Sequence, residues 1–135
     1  MSENKFFVYG TLKVGGRFAA YFDKIRTSSK PATLMHHDLF GIGPIGHAPF
    51  PGAVPGTGNI VGEVHEYEGA NIRSVLRSLD SIEGYHEDDE ESSLYLRTKK
   101  KVLLDNGEEV EAFVYIFNKP IKDTYVKIDE GVWEV

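Results

Sequence analysis

Lys5-Phe6-Phe7-Val8-Tyr9-Gly10-Thr11-Leu12-Lys13 is an apolar run, aromatic and β-branched, that stops in a small polar turn. Residues of these types favour a pleated strand, and Gly10 closes it. Side chains alternate across a strand, so Phe6, Phe7, Val8 and Tyr9 place apolar groups on both faces. The strand therefore reads as a central one. The turn after it has two readings. Backbone N–H groups past a strand end lack a ladder partner and can hold an anion or a developing oxyanion. A plain strand end is the other.

Working outward, Leu94 to Leu104 and Glu109 to Phe117 are strands on either side of Asp105-Asn106-Gly107, a strong hairpin signal. A three-residue loop puts Leu104, Val102 and Lys100 on one face with Val110, Ala112 and Val114. The other face then collects Tyr95, Arg97, Lys99, Phe113, Tyr115 and Phe117. A two-residue loop would instead set Leu103 opposite Val110. Ile60 to Tyr67 alternates as a strand, with Gly62 permitting a close backbone approach. Ala32 to Phe40 reads as a further strand, Thr27 to Pro31 as a polar loop, and Arg17 to Ile25 as a short helix.

Gly41 to Gly58 is dense in glycine and proline, which argues against regular structure. Ile42, Ile45, Phe50, Ala53 and Val54 within it favour an ordered loop packed over a pocket rather than a domain linker. Asn71 is placed as an N-cap. Ile72, Val75, Leu76, Leu79 and Ile82 follow at helical spacing with one buried face, and Gly84 is placed to end that helix. The carboxylates Glu87-Asp88-Asp89-Glu90-Glu91 repel one another and favour an exposed, mobile loop. Thr124 to Val135 ends in apolar residues that pack back on the body. The expected class is α+β: a curved or closed sheet with a helix beside it, in one domain over residues 1–135.

A net charge of −6 argues against a broad nucleic-acid footprint, and the basic run Arg97 to Lys101 reads as a solvated face. The chain has no cysteine, which excludes disulfides, thiol nucleophiles and thiolate metal sites. No apolar segment is long enough to span a bilayer, and Met1-Ser2-Glu3-Asn4 lacks the marks of a signal peptide, so the expected location is cytoplasmic.

Glu83 stands at the end of the amphipathic helix, before Gly84 and Tyr85. The negative field of a helix C-terminus and nearby apolar surface both disfavour its charged form. A carboxyl raised in this way suits a general acid or base near neutral pH. A plain surface glutamate is the alternative. Asp80, three residues earlier, is expected to be an exposed helix residue. Arg97 shares a strand face with Tyr95, as a fork for a carboxylate with a hydroxyl beside it, or as an edge arginine in water. Tyr115 offers a pocket hydroxyl or is a core aromatic with a wet tip. None of the five histidines shows metal-ligand spacing, and there is no Gly-x-Ser-x-Gly elbow, phosphate loop or dinucleotide fingerprint.

Phe7-Val8-Tyr9-Gly10-Thr11-Leu12-Lys13, then Val61-Gly62-Glu63-Val64-His65-Glu66-Tyr67, then Leu79-Asp80-Ser81-Ile82-Glu83-Gly84-Tyr85, Tyr95-Leu96-Arg97 and Ala112-Phe113-Val114-Tyr115-Ile116 occur in an order that resembles the γ-glutamylcyclotransferase-like superfamily, in its AIG2-like and γ-glutamylamine cyclotransferase branch. The resemblance runs from Lys5 to about Phe117. It implies a small barrel-like mixed β-sheet with flanking helices. It implies a small-molecule γ-glutamyl substrate whose own α-amine attacks its γ-carbonyl, releasing 5-oxoproline and an amine or amino acid. It implies that Glu83 is the general acid/base, that Tyr9, Gly10, Thr11 and Leu12 line the γ-glutamyl pocket with Tyr115 as a wall, and that no metal or organic cofactor is needed. Arg97 joins the substrate-binding candidates from the strand pattern alone. Two other expectations stand beside this one: a non-catalytic small-ligand binding module on the same fold, and an interaction protein that uses its aromatic hairpin.

Overall fold

A computed structural model describes residues 4–10, 22–42 and 50–133. Six strands and one α-helix are defined among them: β1 (Lys5–Val8), β2 (Arg26–Ile42), β3 (Phe50–Tyr67), α1 (Gly69–Glu83), β4 (Tyr95–Leu104), β5 (Glu109–Phe117) and β6 (Val126–Lys127). The sheet runs β3-β1-β5-β4-β2, and β2 pairs again with β3, so five strands close into a barrel with β6 added on β2. All pairings are antiparallel except β1 with β5, where Phe6 stands beside Phe113. The sheet is therefore mixed, as expected, and β1 is central, flanked by β3 and β5.

Alternation along β1 feeds two apolar layers. Phe7 and Tyr9 point into the barrel with Leu34, Ile60, Val64, Val102, Ala112 and Val114. Phe6 and Val8 point outward and pack with Val75 and Leu79 of α1 and with Tyr95, Tyr115 and Phe117. The β4–β5 hairpin has the register of a three-residue loop: Val102 faces Val110, Lys100 faces Ala112 and Arg97 faces Tyr115. Its aromatic face is the one covered by α1. Gly62 sits where a Cβ would lie 2.3 Å from the Val8 carbonyl oxygen, which is the close approach read from the sequence.

Three local expectations are corrected. First, residues 50–58 are strand, not loop, and 50–55 of them pair with residues 37–42. The glycines make room for side chains of β2: a Cβ on Gly56 would fall 2.1 Å from Asp38 Oδ2, and the Gly58 N–H donates to Asp38 Oδ1 at 2.9 Å. Residues 43–49 lie outside the described residues. Second, Thr27 to Pro31 belongs to β2, because ladder pairing with Tyr67 to Glu63 overrides its polar composition. At the register shift between Met35 and His37, His36 alone (φ 62°) stands against residues 56–58, so the extra residues bulge from β3. Third, α1 starts at Gly69 with Glu68 as N-cap, ahead of Asn71.

Most of the Arg17 to Ile25 helix lies outside the described residues; Phe22, at its end, is buried. The acidic run is exposed and ends in a 3₁₀ turn, Glu90–Ser92. The tail packs back as expected. Its Ile128 N–H donates to the Leu39 carbonyl at 2.8 Å, and Val132 bridges to Val61. No helix among the described residues is long and apolar enough to cross a membrane.

Candidate active site

A cavity of about 270 Å³ opens where the end of β1 meets the end of α1. Phe6 to Gly10 form one wall, and Phe50 and Pro51 at the start of β3 form a second. Leu79, Ile82 and Glu83 of the last turns of α1 close it, with Leu94, Tyr95 and Tyr115 behind. Its size and its mostly apolar lining suit a small molecule. Gly10 is required by this packing, since a Cβ there would meet the Pro51 ring at 2.4 Å.

Glu83 is the acidic residue of this lining. It is put there by the helix ending. Gly84 adopts the left-handed conformation (φ 66°, ψ 39°), its N–H bonds back to the Asp80 and Ser81 carbonyls, and the chain turns away. Apolar and aromatic neighbours strip water from the Glu83 carboxyl, and this desolvation raises its pKa from 4.5 to about 7. Among the described residues no cation or hydrogen-bond donor reaches it to oppose that rise.

Three tyrosines surround it. Tyr9 donates its hydroxyl to the Tyr115 carbonyl at 2.6 Å and accepts the Ala53 N–H at 3.2 Å. Tyr95 donates to the Pro51 carbonyl. Tyr115 donates to Asp80 Oδ1 at 2.6 Å. Burial pushes all three phenols up first of all, and the Glu83 charge adds to that, so all three stay neutral. Each phenol proton is thus held by the protein, and the Tyr9 oxygen also takes a backbone N–H.

The structure brings together Glu83, Tyr9, Gly10 and Tyr115. Thr11 and Leu12 lie outside the described residues. Arg97 is not among the residues that line the cavity. Its Nη1 donates to Asp80 Oδ2 at 2.5 Å and its Nη2 to Glu87 at 3.1 Å, so its fork is turned to the protein's own carboxylates. Asp80, expected to be exposed, is instead partly buried and holds both Arg97 and Tyr115. Ile82, expected to be buried, is 42% exposed at the cavity mouth. Phe50, expected over a pocket as part of a loop, does line one, as part of a strand. Tyr95 was legible only as the neighbour of Arg97 on the aromatic face, and its place in the cavity wall was not. Pro51 and Leu94 were not singled out: Pro51 fell in the stretch expected to be a loop, and Leu94 was read as the first residue of the hairpin strand, which starts at Tyr95. Among the described residues no group of three or more histidine, aspartate or glutamate side chains is placed to hold a metal ion.

Comparisons with known proteins place the chain in a family. The family model for gamma-glutamyl cyclotransferase, AIG2-like, matches residues 6–135. A provisionally assigned gamma-glutamylcyclotransferase of Methanocaldococcus jannaschii is 29% identical over 112 residues, which is 82% of either chain. The crystal structure of an AIG2-like protein from Mus musculus superposes with a TM-score of 0.62 at 25% identity, covering 90% of this chain and 81% of that one. A solved gamma-glutamyl cyclotransferase shares the fold at a TM-score of 0.58 and 18% identity, covering 92% of this chain and 69% of that one. With a match over nearly its whole length, the chain belongs to the AIG2-like γ-glutamyl cyclotransferase family of enzymes.

Proposed function

We propose that the protein cyclises a γ-glutamyl compound to 5-oxoproline and releases its amine, with Glu83 as the single proton carrier. The observation that carries this reading is a carboxyl of pKa about 7, raised by desolvation, in a cavity of small-molecule size bordered by the Tyr9–Gly10 strand end. The nucleophile is the substrate's own α-amine, so holding the chain folded is most of the catalytic task. Glu83 takes a proton from the α-ammonium. The freed nitrogen attacks the γ-carbonyl, a new C–N bond closes the five-membered ring, and the carbonyl oxygen carries the transient negative charge. As the bond to the leaving nitrogen breaks, Glu83 passes that proton to it and takes up the second proton that the ring nitrogen sheds on becoming an amide; handing this one to the departing amine, which leaves as an ammonium, restores the carboxylate. A carboxyl near pKa 7 both accepts and returns a proton at neutral pH.

Tyr9, Tyr95 and Tyr115 supply aromatic walls held in place by their own hydrogen bonds. The turn of Tyr9, Gly10, Thr11 and Leu12 is assigned to the γ-glutamyl end by the family resemblance. The test is release of 5-oxoproline from a panel of γ-glutamyl amines and γ-glutamyl amino acids. Turnover of at least one, lost in Glu83→Gln, is the expected result. Full activity in Glu83→Gln removes Glu83 from the mechanism. Ligand-induced thermal stabilisation without product would make this a binding module.

A further inference from the structure

Arg97 does not line the cavity, yet it grips both flanks of Glu83. On one side its Nη1 donates to Asp80 Oδ2 at 2.5 Å, one helical turn before Glu83 on α1. On the other its guanidinium lies 5.2 Å from the ring centroid of Tyr85, two residues after Glu83, and 5.5 Å from that of Phe113 on β5. The guanidinium thus lies over two aromatic rings with Asp80 at its tip, an arrangement that a planar arginine head suits better than a lysine ammonium. Burial opposes the charge of Arg97, but Asp80 outweighs it and the guanidinium is held firmly protonated.

The grip continues into the cavity wall. Asp80 Oδ1 accepts the Tyr115 hydroxyl at 2.6 Å, Tyr115 is the register partner of Arg97, and the Tyr115 carbonyl accepts the Tyr9 hydroxyl at 2.6 Å. One chain of contacts therefore ties α1, β4, β5 and the end of β1.

We propose that Arg97 is the positioning residue of this site: through Asp80 and Tyr85 it clamps the end of α1 so that Glu83 stands against the Tyr9–Tyr115 wall. The inference rests on Glu83 being the proton carrier. Burial alone holds the Glu83 carboxyl neutral, so its titration reports whether it keeps its place against the apolar wall. With Arg97 removed, the end of α1 loses its tie to β4 and the carboxyl gains water. The titratable groups facing it are the phenols of Tyr9 at the end of β1, Tyr95 from β4 and Tyr115 from β5, all neutral. Glu87 meets Arg97 on the outer side, where solvent screens it.

The test is a carbon-detected NMR titration of the Glu83 carboxyl, assigned against Glu83→Gln. Arg97→Gln should lower its midpoint toward the ordinary carboxylate range as water reaches the carboxyl. Asp80→Asn cuts the same tie from the helix side and should lower it too. The double variant Asp80→Asn/Arg97→Gln should lower it no further than the single variants together require, because both break one link. Arg97→Lys keeps the charge and loses the stacked fork, so it should shift the midpoint in the same direction while kcat falls about tenfold at unchanged KM. A midpoint unmoved by Arg97→Gln overturns the proposal. If Arg97→Gln does not fold, Asp80→Asn decides alone, and a midpoint unmoved there overturns the proposal equally. The titration needs no substrate, so it is read independently of whether 5-oxoproline forms.

Discussion

Tyr9 donates its hydroxyl to the backbone carbonyl of Tyr115 at 2.6 Å, joining two residues 106 positions apart across the parallel pair β1 and β5. The same oxygen accepts the Ala53 N–H, so one phenol serves three strands. Tyr9→Phe keeps the ring and strands both backbone groups without water. A buried group left unpaired costs about 1–3 kcal/mol. Urea unfolding should show a loss of that size, and turnover should fall further than stability because the lost bond lies in the cavity wall.

The pH dependence follows from Glu83. Its pKa is raised from 4.5 to about 7, so between those values the folded state keeps a proton that the unfolded chain releases. Stability conferred by the neutral carboxyl is complete below about pH 4.5 and is lost as pH rises toward 7. Glu83→Gln removes that dependence. At pH 8 it should be more stable than wild type by at most about 3 kcal/mol, with the advantage fading at pH 4. Over the same range, wild-type kcat/KM should rise with an apparent pKa near 7 as the base form appears. Thermal melts and rate profiles across pH 4–9 check both.

Gly84→Ala tests how the helix end serves the site. Gly84 holds φ 66°, while the Cβ of alanine would meet only Leu94 at an ordinary 3.4 Å. The cost is therefore backbone strain, about 1–2 kcal/mol. Because the strain falls on the residue after Glu83, kcat should drop more than tenfold where the fold survives, an effect read by comparing turnover with melting temperature.

A pair of glycine substitutions separates packing from chain entropy. Gly62→Ala would push a methyl against the Val8 carbonyl between β1 and β3, a contact with backbone that cannot swing aside. It should cost about 1–3 kcal/mol or more. Gly69→Ala meets nothing within 4 Å at the first turn of α1 and should stabilise by about 0.5–1 kcal/mol. Chemical denaturation of the two variants gives shifts of opposite sign.

The elements legible in the sequence were those with a strong local signal. Phe6 to Tyr9, apolar on both faces, read as a central strand, and Asp105-Asn106-Gly107 read as the loop that sets the β4–β5 register. Gly84 read as the stop for α1. Glu83 was legible as a candidate because a helix end and an apolar context coincide there. Residues 50–58 were not, since their glycines answer to Asp38 and Ile42 on the partner strand, and a partner is invisible to local propensity. Arg97 was read from its strand face as free to meet a substrate. Asp80, seventeen residues away and on a different element, is what occupies it.

The barrel closes through contacts of very different reach. β2 and β3 are consecutive in the chain and antiparallel, and so are β4 and β5, so each pair joins sequence neighbours. β1 must find β5 across most of the chain, and loop closure of that length is slow. The cavity lies on this last seam, with Tyr9 on one side and Tyr115 on the other. During refolding the sheet should therefore regain its circular dichroism before the protein regains turnover. Catalytic competence becomes a timer for closure of the chain's longest loop.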